Sequence, residues 1–139
     1  MAVTWDDVQR ILETTKTIGV VGLSDKPDRD SYQVAAYLQR QGYRIIPVNP
    51  RMTEVLGEKA YPSLRDIPAP VDVVQIFRRS EDVPPIVEDA IAAGAKVVWM
   101  QSGIVNEEAA ARAEAAGLKV VMDACMRATH RTLRSAGKI

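Results

Sequence analysis

The chain is 139 residues long, 47% hydrophobic and 26% charged, which fits one domain over residues 1–139 with a real core and leaves no room for a second catalytic domain. Eighteen Lys plus Arg balance eighteen Asp plus Glu, so a net charge of zero gives no general pull toward nucleic acid or an anionic membrane. A single cysteine, Cys125, and a single histidine, His130, exclude a disulfide framework and a Cys/His zinc site, no carboxylate cluster suggests another metal, and the lack of a signal-like start or a long apolar run points to the cytoplasm.

In chain order, residues from about Trp5 to Thr14 read as an opening helix. A short apolar run, Ile18 to Val21, ends in Gly22 and a polar loop before the amphipathic segment Tyr32 to Gln41, which sets Val34, Ala35 and Leu38 on one face and stops at Gly42. Further Val- and Ile-rich runs follow at Arg44 to Val48, Val71 to Phe77, Lys96 to Met100 and Lys119 to Met122. Between Pro50 and Pro70, prolines at 50, 62, 68 and 70 break any long element, so a loop is expected there. Val87, Ala90 and Ile91 then mark a helix ending near Gly94, Asn106 caps an Ala-rich helix ending at Gly117, and a last helix runs from about Met126 to Ser135. Alternating strands and helices imply an α/β chain built on a parallel sheet.

Crossovers of one hand bring the carboxyl ends of such strands to one edge. That edge collects Gly22 to Ser31, Asn49 to Thr53, Arg78 to Asp82 and Gln101 to Asn106. In the first loop Gly22 permits close backbone approach, Leu23 and Ser24 offer N–H groups and a hydroxyl to a phosphate, and Ser31 either caps the helix or touches the ligand. Arg29 reaches the same phosphate or is simply solvated. An ordinary βα turn stands beside this reading, because neither G-x-G-x-x-G nor G-x-x-x-x-G-K-[ST] is present.

The second strand ends in Asn49-Pro50-Arg51, where an NAD site wants a carboxylate for the ribose hydroxyls. Arg51 welcomes a phosphate instead, which favours a nucleotide phosphorylated on its ribose, NADP or coenzyme A; otherwise it is a surface charge. The third strand ends in Phe77-Arg78-Arg79-Ser80. Phe77 either packs on an adenine or pantetheine or joins the core, one of the two arginines meets phosphate while the other points outward, and Ser80 is a candidate helix cap. Gln101-Ser102-Gly103 forms a further polar turn, and Asp123 is read as the cap of the last helix. Cys125 and His130 differ by about 140° around that helix and make no catalytic pair, so a buried structural thiol and a surface histidine are expected and no catalytic residue is assigned.

The blocks VGLSDKPDRDSYQVAAYL, GYRIIPVNP, VDVVQIFRRSEDVP and VWMQSGIVNEEAAARAEAAGLKVVMDACM resemble the small bacterial and archaeal CoA-binding proteins, stand-alone relatives of the CoA-binding domain of the succinyl-CoA synthetase α subunit. The resemblance spans about residues 10 to 135. It implies a Rossmann-like, doubly wound five-stranded sheet of order 3-2-1-4-5 in three α/β/α layers, holding coenzyme A across its carboxyl edge. It further implies that Gly22, Leu23 and Ser24 meet the pyrophosphate and Asn49, Pro50 and Arg51 the adenosine with its 3′-phosphate. Phe77, Arg78, Arg79, Ser80 and Val83 would flank nucleotide and pantetheine, with Gln101 and Gly103 near the thiol arm. Relatives usually read Asp-Arg-Cys where this chain has Asp123-Ala124-Cys125, and the ligase's phosphohistidine loop is missing, with His130 on a helix.

The reading favoured is a non-catalytic binder of coenzyme A or an acyl-CoA, acting as carrier, sensor or partner subunit. The alternatives are a minimal NADP-binding oxidoreductase and an interaction subunit with a vestigial nucleotide site. Neither nucleic acid nor membrane is expected as a partner; a protein partner or a homo-oligomer stays open.

Overall fold

The computed structural model describes residues 3–139. Five helices, α1 (Trp5–Thr14), α2 (Asp30–Arg40), α3 (Val83–Ala92), α4 (Glu107–Ala115) and α5 (Met126–Ser135), alternate with strands β1 (Thr17–Val21), β2 (Arg44–Val48), β3 (Glu54–Val55), β4 (Glu58–Lys59), β5 (Val73–Ile76), β6 (Val97–Met100) and β7 (Lys119–Val121). Five of the strands form one parallel sheet in the order β2-β1-β5-β6-β7. The chain thus has the α/β Rossmann-like fold that the sequence implies.

Strand alternation assigns the two faces. Ile18, Val20, Ile45, Val73, Trp99 and Val121 face α1, α2 and α5, whereas Ile46, Val48, Val74, Ile76, Val98 and Val120 face α3 and α4. Trp99 is fully buried, yet its indole N–H is satisfied by Ala124 O at 2.8 Å, which ties β6 to the turn before α5.

The strand order corrects the sequence expectation. Counting the five main strands in chain order, the sheet reads 2-1-3-4-5 and not 3-2-1-4-5: β5 pairs with β1, on the side away from β2. The connection from β2 to β5 crosses the face of β1 at Gly19, in the middle of that strand. A Cβ built there would meet Leu64 Cδ2 and Val71 Cγ1, each at 3.2 Å, so the connection from β2 to β5 lies directly across β1 in the space that the missing side chain leaves. The crossover therefore delivers β5 to the far side of β1. The point where the strand order reverses falls between β1 and β5, and their carboxyl ends open the crevice in which doubly wound sheets bind ligands.

Residues 50–70 are also more ordered than the prolines suggest. β3 and β4 form a hairpin through Leu56 (φ 55°) and Gly57 (φ 76°), and the turn is pinned to α2 by the Gln39 amide donating to Leu56 O at 3.0 Å. The chain then pairs Tyr61 with Val48, its N–H donating to Pro47 O and its carbonyl accepting from Asn49 N–H, before a 3₁₀ turn at Leu64–Asp66.

Candidate functional site

The site is set by the ends of β1, β2 and β5. Gly22 follows β1 with φ +88°, and a Cβ there would overlap the Phe77 carbonyl oxygen, so only glycine lets these two strand ends run this close. Its N–H donates to Val48 O (2.9 Å), while Phe77 N–H donates to Val21 O (2.9 Å), continuing both ladders past the strands. Leu23 is fully buried, backbone included, so it anchors the loop in the core and does not line the cleft as the sequence reading expected. Beyond it the loop folds back on itself. Ser24 N–H donates to Ser31 Oγ (3.1 Å), and Lys26 N–H to Ser24 Oγ (3.1 Å). Ser31 therefore lies inside α2 as a loop clasp; the residue in cap position is Arg29, which supplies no side-chain cap bond. The Ser24 N–H is thereby already engaged.

Asn49 joins the second strand end to the first. Its Nδ2 donates to Leu23 O (3.1 Å) and its Oδ1 accepts the Arg51 N–H (3.0 Å), so one side chain fixes both the glycine loop and the start of the arginine turn. Gly22, Ser24, Arg29, Ser31, Asn49, Pro50, Arg51, Phe77 and Arg78 thus line one cleft of about 690 Å³, joined there by Asp25, Lys26, Asp30 and Met52. These last four lie in the loops the sequence reading collected but were not among its candidate site residues; a charged loop and an isolated methionine carry no signal that separates them from solvated surface.

The two arginines after β5 differ. Arg78 borders this cleft and two adjoining hollows and makes no ion pair among the described residues. Arg79 is 79% exposed and already lies 3.6 Å from Glu81 and 3.5 Å from Asp82. Lys26, Arg29 and Arg51 likewise have no carboxylate within ion-pair distance among the described residues. Set against Asp25 and Asp30, these four cations leave the cleft with a positive excess, matched to a polyanion.

The remaining candidates sit at or behind the rim. Gln101 is buried and lines the hollow beside Phe77, Arg78 and Ile104. Its Oε1 accepts from both Gln75 Nε2 (3.0 Å) and Met126 N–H (2.9 Å). Ser80 opens a 3₁₀ turn and is not the cap of α3, which is Asp82; its Oγ accepts from Val105 N–H and its carbonyl from Asn106 Nδ2, each at 3.0 Å. Val83 is core beneath α3. Gly103, with φ +80°, donates its N–H to Asp123 Oδ1 (2.6 Å). Asp123 is therefore a brace between the last two loops and not the cap of α5, a position held by Cys125.

His130 departs from the surface position expected of it. It is 2% exposed, its Nδ1 lies 2.8 Å from Tyr37 Oη, and the rings of Tyr37 and Tyr43 meet it edge-on. Burial, with the Arg134 charge beside it, holds His130 below its ordinary value, and burial pushes the Tyr43 phenol up to about 12. Cys125 is half-buried, packed against the same core. Among the described residues no group of three or more His, Cys, Asp or Glu side chains is placed to hold a metal, and no helix is long and apolar enough to cross a membrane.

Known proteins are similar to this chain in sequence and in shape. The chain is 47% identical over 124 residues to an uncharacterized Bacillus subtilis protein, YneT, covering 89% of this chain and 92% of that one. It is 31% identical over 101 residues to the ADP-forming acetate–CoA ligase II of Archaeoglobus fulgidus, a match covering 71% of this chain but only 15% of the ligase. The structure of a hypothetical protein from Pyrococcus horikoshii superposes with a TM-score of 0.92 at 45% identity, covering 95% of this chain and 93% of that one. Residues 16–131 match the model of the CoA-binding domain, and the chain belongs to that family.

Proposed function

We propose that the carboxyl-edge cleft holds coenzyme A or an acyl-CoA and that the protein is a non-catalytic binder, serving as carrier, sensor or partner subunit. The observation that carries this reading is the set of four cations, Lys26, Arg29, Arg51 and Arg78, with no ion-pair partner among the described residues, around a crevice in which Gly22 brings backbone to backbone. Coenzyme A bears a pyrophosphate and a ribose 3′-phosphate, and planar guanidinium forks suit both. The pyrophosphate would lie against Gly22 and the start of α2, the 3′-phosphate against Arg51, and the pantetheine arm would leave past Arg78 toward Gln101. Among the described residues the cleft is lined by neither His130, which is buried against Tyr37, nor Cys125, so it brings no thiol and imidazole together. Similarity to a piece of the acetate–CoA ligases supports the same ligand class.

Calorimetric titration tests it. Coenzyme A should bind, 3′-dephospho-CoA should bind roughly tenfold or more weakly, and Arg51→Ala should remove most of that difference. Equal affinity for the two ligands would break the Arg51 assignment, and no binding of coenzyme A at millimolar concentration would remove the reading itself.

A further inference from the structure

Buried polar atoms are almost always partnered, so one that is not asks for a reason. Gln75 is fully buried in β5, flanked in register by Val20 of β1 and Trp99 of β6, and its Oε1 has no hydrogen-bond partner among the described residues. The amide orientations are not free. Met126 N–H can only donate, which fixes the Gln101 atom 2.9 Å from it as Oε1. The Gln75 atom 3.0 Å from the same oxygen must then be Nε2, and Gln75 Oε1 is turned away from any donor. Reversing either amide would oppose like groups.

A methionine or leucine at position 75 would avoid the stranded carbonyl. Stability does not explain the glutamine; what it holds does. Two donors converge on Gln101 Oε1, so the plane of that amide is fixed and its other end, Nε2, is left for the hollow that Gln101 lines with Phe77, Arg78 and Ile104. We propose that Gln75 is a positioning residue: together with the Met126 amide it aims Gln101 Nε2 into this hollow beside the cleft, where it donates to a carbonyl oxygen of the pantetheine arm. The inference rests on the coenzyme A reading above. It makes Gln101 a recognition element for the arm and not for the nucleotide.

The experiment titrates coenzyme A and adenosine 3′,5′-bisphosphate, which lacks the arm, into the unmodified protein, Gln75→Met and Gln101→Met, with thermal melts of all three. Gln75→Met should bind coenzyme A about threefold or more weakly, Gln101→Met about fivefold or more weakly, and both should bind the bisphosphate as the unmodified protein does. The melting temperature of Gln75→Met should be unchanged or raised. Unaltered coenzyme A affinity in Gln75→Met, a parallel loss of both ligands, or a variant that does not fold would each overturn the proposal. Failure of the unmodified protein to bind coenzyme A is a separate result and removes the underlying reading.

Discussion

Three glycines in this chain differ in what a single methyl group would meet, and the difference can be measured. At Gly22 the backbone has φ +88° and a Cβ would overlap Phe77 O; at Gly103 φ is +80° but nothing lies within 4 Å; at Gly19 the backbone is ordinary and the neighbours are the soft ends of Leu64 and Val71 at 3.2 Å. A positive φ costs an alanine about 1–2 kcal/mol, of which about 0.4–1 is returned by the stiffer unfolded chain. Gly103→Ala should therefore destabilise by about 1 kcal/mol. Gly22→Ala adds a displacement of the Phe77 peptide, and with it a ladder hydrogen bond or two, each worth about 0.5–1.5 kcal/mol, for a total near 2–4 kcal/mol. In a chain of this size that corresponds to a loss of roughly 6–15 °C in melting temperature. Gly19→Ala should stay within about 1 kcal/mol, since two side chains need give only a few tenths of an ångström. Denaturant midpoints for the three variants provide the test. If Gly22→Ala were no less stable than Gly103→Ala, the close approach of β1 to β5 would not be the constraint described here.

Asn49→Ala removes two hydrogen bonds that clasp the first two loops, so it should cost about 1–2 kcal/mol of stability and weaken coenzyme A more than Ser80→Ala does, measured by denaturation and calorimetry. Arg78→Ala should lower coenzyme A affinity by roughly 1–3 kcal/mol, whereas Arg79→Ala, which loses only exposed ion pairs, should change it by about 0.5 kcal/mol or less. Stability should depend on pH in two windows. His130 titrates below 6.5 when folded, so the unfolded chain takes up its proton first and stability falls as pH drops below about 6.5; His130→Phe should flatten that part of a melting-temperature profile. Asp72 is partly desolvated, which raises its value, but the amides of Lys16 and Thr17 and the charge of Lys96 outweigh this and hold it below 3.8, so its contribution is lost only as pH falls below about 4, and Asp72→Asn should remove that loss.

The five main strands and five helices were legible because each carries a strong local pattern: apolar runs for a sheet covered on both faces, and caps such as Asn106, whose Oδ1 accepts Ala109 N–H as its position suggests. The sheet order was not. It depends on the path of the crossover over β1, and Gly19, against which that crossover packs, reads in the sequence as one more small residue in an apolar run. The hairpin was hidden for a similar reason, since its turn places Leu56 at a positive φ where asparagine would have announced it, and a Gln39 bond from α2 supplies what the turn sequence lacks. At the candidate site the loops were legible and the wiring was not. Ser31, Ser80 and Asp123 each carry a polar side chain at or beside a loop, and nothing local distinguishes a cap from a clasp on the preceding loop, as at Ser31, or a brace to a distant one, as at Ser80 and Asp123.

The pairing of Tyr61 with β2 has a consequence for how copies of this molecule can meet. A parallel sheet ends in two rows of unpaired amides and carbonyls that invite strand addition. Along β2 that invitation is withdrawn: Pro47 has no N–H to offer, its carbonyl is taken by Tyr61, and the hairpin segment lies beside it. At the other margin β7 is three residues long and begins with the exposed Lys119, a charge poorly suited to a continuing sheet. Growth of the sheet across molecules is blocked at one end and discouraged at the other, so any assembly this protein forms should be built through helices and loops, and its resistance to aggregation should fall when residues 54–61 are cut away.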